Sequence, residues 1–102
     1  MSNTIYSIND IRNQSKVIFD AADFVKKAFL FGSYARGEAT SKSDLDFMIV
    51  LNREANLEFF GLYDSLQDVF GKKVDVIRED EAYRIMPRTI ERDKVLIYER
   101  KN

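Results

Sequence analysis

The order of apolar patterns along the chain predicts an α/β (α+β) domain covering residues 1–102. Three observations carry this. Helix-spaced apolar residues recur near the start and in the middle, short β-favouring runs separate them, and the composition suits one core. At 102 residues, with 45% hydrophobic and 32% charged side chains, the chain is long enough for one compact unit and too short for two. A single Pro, four Gly and no internal repeat or low-complexity tract speak against disorder.

The first element is a helix over about residues 8–22, where Ile8, Ile11, Ile18 and Ala22 fall near helical spacing and Ser7 or Asn9 offers an N-cap. Lys26 and Lys27 read as a polar break. Ala28 to Phe31 then forms a short buried strand closed by Gly32. Residues 33–43, with Gly37, Thr40, Ser41 and Ser43, make a loop holding at most one helical turn at its start. Leu45 to Leu51 is a second strand, whose alternation sets Asp44, Asp46 and Met48 on one face against Leu45, Phe47 and Ile49 on the other. A second helix covers about residues 56–70, on Phe59, Leu62, Tyr63, Leu66, Val69 and Phe70, weakened by Gly61 and ended by Gly71. Residues 73–77 form a third strand, Pro87 opens a short helix to about Asp93, and residues 95–98 form a last strand.

Composition narrows the chemistry. With 16 Lys and Arg against 17 Asp and Glu, the net charge of -1 gives no electrostatic footprint for holding duplex DNA. The absence of Cys and His removes disulfides, Cys/His zinc sites and every triad built on His or Cys. Carboxylates, hydroxyls, amines, backbone groups and bound metal remain. The opening stretch is polar and no apolar run approaches the roughly 20 residues of a membrane span, so a cytoplasmic location is expected.

One segment concentrates functional signal: Gly32-Ser33-Tyr34-Ala35-Arg36-Gly37, then six residues, then Asp44-Leu45-Asp46. From the chain's own composition, Gly-Ser followed ten residues later by Asp-x-Asp is expected on the order of 0.002 times. Gly32 allows close approach of backbone to a phosphate, and Ser33 offers a hydroxyl and an N–H at the start of a helical turn. Asp44 and Asp46, two apart on a strand, project carboxylates from one face, which suits magnesium completed by substrate phosphates. Two such ions can stabilise both entering and leaving oxygens of a phosphoryl transfer. Asp75, between Val74 and Val76, faces away from those apolar neighbours and completes a triad if its strand adjoins the second, with Glu79 and Asp80 as fallbacks. A P-loop is excluded because Glu38-Ala39 stands where Lys and Ser or Thr are required, and no Gly-x-Gly-x-x-Gly exists.

The run Leu30-Phe31-Gly32-Ser33-Tyr34-Ala35-Arg36-Gly37, followed by Ser43-Asp44-Leu45-Asp46-Phe47 and later by Val74-Asp75-Val76-Ile77, resembles the nucleotidyltransferase superfamily that includes DNA polymerase beta. Within it, the chain is similar to the minimal nucleotidyltransferase antitoxins called MntA. The resemblance implies a small mixed β-sheet with helices packed against it, magnesium at Asp44, Asp46 and Asp75, and a nucleotide triphosphate near Gly32, Ser33 and Arg36. It implies attack of an acceptor hydroxyl on the α-phosphorus of ATP, with Asp75 placed to act as general base. In that branch the acceptor is a tyrosine of a partner HEPN-domain ribonuclease toxin, silenced by AMPylation in a type VII toxin–antitoxin pair. With 102 residues and no helical substrate domain of the kind larger relatives carry, the expectation is a protein partner and an acceptor pocket completed by another polypeptide or another copy. Leu57 and Phe60, off the main apolar face of their helix, are the candidate contacts.

Two alternatives stay open at this level. One is an antitoxin that neutralises by binding alone; the other is a nucleotidyltransferase with a small-molecule or RNA acceptor. Tyr34 is expected to pack. Arg84, Arg88 and Arg92 fall four apart and would form a basic stripe if one helix ran through Pro87, which proline opposes.

Overall fold

The computed structural model describes residues 4–101. In chain order the elements are α1 (Ile8–Ala21), β1 (Val25–Phe31), α2 (Ser33–Arg36), β2 (Leu45–Leu51), α3 (Leu57–Phe70), β3 (Val74–Arg78), α4 (Glu79–Ile85), α5 (Pro87–Asp93) and β4 (Val95–Glu99). Helix α1 starts in a capping box: the Ser7 hydroxyl accepts from the Asp10 amide at 3.0 Å, and the Asp10 carboxylate accepts from the Ser7 amide at 3.1 Å. Such a cap stabilises a helix start by about 1 kcal/mol.

The four strands form one mixed sheet in the order β3-β2-β1-β4. Strand β1 runs antiparallel to both β2 and β4, whereas β3 runs parallel to β2. The parallel pair needs a long crossover, and α3 supplies it. Side-chain alternation then divides the sheet into two faces. Leu30, Leu45, Phe47, Ile49 and Val74 point to one, where Ile11 and Phe19 of α1 and Leu62, Leu66 and Phe70 of α3 complete the larger core. Burying each of these large side chains contributes about 1.5–3 kcal/mol. Phe31 and Met48 point to the other face, under Ala82 of α4 and Ile90 of α5.

The structure departs from the sequence reading in two places. The first strand begins at Val25, and the Lys26-Lys27 pair lies inside it. Val25 pairs with Leu51 and Lys27 with Val50, so Lys26 is an extra, bulged residue that breaks the inside-outside alternation. A seven-residue helix, α4, occupies residues that carried no sequence signal, because Ala82 is its one buried residue and no apolar period forms. As Pro87 leads one to expect, the chain breaks between α4 and α5 at Met86, so the three arginines share no helix face; Arg84 pairs with Glu81 and Arg92 with Asp93. Among the described residues no helix is long and apolar enough to cross a membrane.

Candidate active site

Residue pattern and sheet register bring the predicted acids together. Asp46 sits opposite Asp75 in the parallel β2–β3 ladder and opposite Phe31 in the antiparallel β1–β2 ladder. Asp44 immediately precedes β2. All three therefore lie where β2 and β3 begin, beside the end of β1 from which the chain turns into α2. Their sheet face is the one that α4 and α5 cover further along, at Met48.

Gly32 makes that turn with φ of 78° and ψ of -157°, a backbone conformation that L side chains rarely adopt. Space gives a second reason for glycine there. A Cβ at Gly32 would collide with Oδ2 of Asp46. The turn and the acid are thus in direct apposition, and Ser33 opens α2 at the same place. Gly37, at φ of 73°, ends α2 as a left-handed cap.

The electrostatics follow from this crowding. Burial, then the charge and hydrogen bonding of Asp75, then the charge of Asp44, push the Asp46 carboxyl up to about 7, while Lys73 pulls it down. The Lys73 ammonium lies 3.7 Å from an Asp44 oxygen, a partly exposed pairing. Among the described residues no group of three or more Asp, Glu, His or Cys side chains is placed to hold a metal ion by itself. The arrangement fits a hard divalent cation with an open site, held by one or two carboxylates and completed by phosphate oxygens. It also leaves the negative charge around Asp46 short of neutralisation, which such a cation would supply.

Arg36 ends α2 and is held by two carboxylates: Nε donates to Glu38 at 2.8 Å and Nη1 to Asp93 at 2.7 Å. With five N–H donors, the guanidinium has capacity beyond those two bonds. Tyr34 is buried, as expected of a packing residue, with its hydroxyl 2.7 Å from the Lys72 ammonium. Glu79 and Asp80, the fallback acids, sit at the far end of β3, where a cleft of about 350 Å³ is lined by Leu51, Arg53, Arg78 and Asp80. Its two arginines are paired, Arg53 with Glu58 and Asp23 and Arg78 with Asp80. Sequence reasoning missed Lys72 and Asp93. Both reach α2 from distant segments, and no local spacing announces them.

Comparison with known proteins gives the family. The family described as "Polymerase beta, Nucleotidyltransferase" matches residues 11–102. A proposed protein adenylyltransferase of Methanocaldococcus jannaschii is 38% identical over 96 residues, covering 92% of this chain and 98% of that protein. A solved toxin–antitoxin structure with AMP-PNP superposes with a TM-score of 0.74 at 17% identity, covering 88% of this chain and 74% of its own. A complex of tri-AMPylated Shewanella oneidensis HEPN toxin with an MNT antitoxin gives 0.69 at 15% identity, covering 91% and 73%. These two structures share the fold. The family match and the relative identify the chain as a member of the polymerase beta nucleotidyltransferase family.

Proposed function

We propose that this nucleotidyltransferase transfers AMP from ATP to a hydroxyl, a tyrosine, of a partner HEPN ribonuclease toxin, acting with magnesium in the cytoplasm as the antitoxin of the pair. One observation carries the reading: Asp46 and Asp75 face each other across β2 and β3, with Asp44 beside them, directly against the Gly32–Ser33 turn. Asp44, Asp46 and Asp75 would hold magnesium, which when bound polarises the phosphoryl group and neutralises charge on the leaving pyrophosphate. Gly32 and Ser33 cradle the triphosphate through backbone N–H and hydroxyl, with Arg36 as a cationic flank. The acceptor oxygen bonds to the α-phosphorus, the bond to the bridging oxygen breaks, and pyrophosphate leaves. Asp75, the most exposed of the three acids, stands where a carboxylate can take the acceptor's proton.

The partner class rests on the relatives and on the surface. The S. oneidensis complex pairs an antitoxin of this fold with an AMPylated HEPN toxin, and Leu57 and Phe60 of α3 are 83% and 69% exposed, unused by the chain's own core. With α-labelled ATP, wild-type protein should pass label to the HEPN partner, and Asp44→Asn and Asp46→Asn should each lower transfer by at least about 100-fold with unchanged circular dichroism. Label still passing in the double variant would refute the assignment. Full neutralisation of the toxin by that variant would instead favour binding alone, the second reading that the exposed α3 residues permit.

A further inference from the structure

Among the described residues two charged side chains are buried, Lys72 at 5% exposure and Asp93 at 4%. Burying a charge is costly unless it is well partnered, so such groups call for a reason. Both end on the same short element. Lys72 Nζ donates to the Tyr34 hydroxyl at 2.7 Å, to the Thr4 carbonyl at 3.3 Å and to the Ser41 carbonyl at 3.4 Å. Asp93 accepts from Arg36 Nη1 at 2.7 Å and is braced by Arg92 Nε at 2.7 Å. We propose that Lys72 and Asp93 are positioning residues that clamp α2 from two sides and so set the Gly32–Ser33 turn against the three acids.

The connectivity gives the clamp its meaning. Lys72 lies three residues before Asp75, so its bond to Tyr34 ties the turn to the strand that carries one acid. Asp93 ends α5, whose Ile90 packs with Phe31 and Met48 on the sheet face that carries the acids. Helix α2 has only four residues and cannot hold its own position. Its two anchored side chains, Tyr34 and Arg36, leave from its middle and its end, while Gly32 and Ser33 stay free to face a ligand. Using a pair of charged anchors also fixes direction, since a hydrophobic contact alone would tolerate rotation of so short a turn.

This inference deepens the nucleotide-binding reading of the turn and rests on it, so the test has one arm that needs no nucleotide. Lys72→Met keeps bulk and removes the ammonium; Tyr34→Phe removes only the hydroxyl that Lys72 reaches; Leu62→Ala, a core truncation on α3, controls for general destabilisation. In both clamp variants the amides of Arg36, Gly37 and Glu38, which bond to Gly32, Tyr34 and Ser33 carbonyls, should exchange at least about tenfold faster than in wild type, with α1 unchanged. The Kd for ATP with magnesium should rise about fivefold, and the double variant should be no worse than the weaker single one. The control should leave both readouts at wild-type values. Unchanged exchange at residues 36–38, or loss of melting temperature with an unaltered Kd, would overturn the clamp. Faster exchange in a protein that binds no ATP even as wild type would uphold the clamp and count against the nucleotide reading alone.

Discussion

A charge on Asp46 sits in a place that resists it. Half buried and facing Asp75 and Asp44, its carboxylate costs the fold stability at neutral pH, where its raised value leaves it partly ionised. Without divalent cation, Asp46→Asn should therefore be more heat-stable than wild type, by about 1 kcal/mol after allowing for solvent screening. Differential scanning fluorimetry checks this directly, and magnesium should raise the wild-type midpoint and not the variant's. A wild type that is the more stable of the two in chelator would argue against strain at this cluster. At Gly32 the backbone torsion and the approach of Asp46 Oδ2 both forbid a side chain. Gly32→Ala should cost about 1–3 kcal/mol and remove transfer, read by thermal melting and by label transfer. Gly32, Ser33, Asp44 and Asp46 were legible because they lie within one short, rare spacing. Asp75 became certain as a neighbour only through the register of β3 on β2, and Lys72 and Asp93 stayed hidden because their partners are 38 and 57 residues away.

Among the elements, α5 shows how a local disadvantage is turned to use. Asp93 stands at the helix C-terminus, where the dipole disfavours an anion, and it is held there by Arg92 first and Arg36 second, which keep its carboxyl below the ordinary range. A lowered value in the fold means stability present above the unfolded pKa and lost as pH falls through the folded one. Asp93→Asn should therefore cost about 2 kcal/mol at pH 7, less than a fully dry ion pair because the arginines are partly exposed. The gap should close as pH drops below about 4, as urea titrations across pH can measure. A gap independent of pH would mean that packing, not charge, holds α5. Most elements were readable from period alone: α1, α3, β2 and α5 fall within a residue of their expected limits. The bulge at Lys26 and the acidic start of α4 were not, since one breaks the alternation and the other buries too little to show a period.

For the whole molecule, the sheet's two faces divide the labour. The larger core, under α1 and α3, supplies stability, and the smaller face leaves room at one end for the acids and the turn. On the outside, α3 carries Leu57 and Phe60, both largely exposed among the described residues. Leu57→Ser with Phe60→Ser should leave the stability within about 0.5 kcal/mol of wild type while weakening the complex with the proposed HEPN partner at least about tenfold by calorimetry. Unchanged affinity would place the contact elsewhere. Adenylyl transfer is read directly by intact-mass spectrometry of the proposed HEPN partner after incubation with this protein, ATP and magnesium, beside the Asp44→Asn/Asp46→Asn variant. The partner should gain one or more AMP units with wild type and none with the variant. A partner that forms a stable complex with both proteins and gains no mass with either would contradict adenylyl transfer.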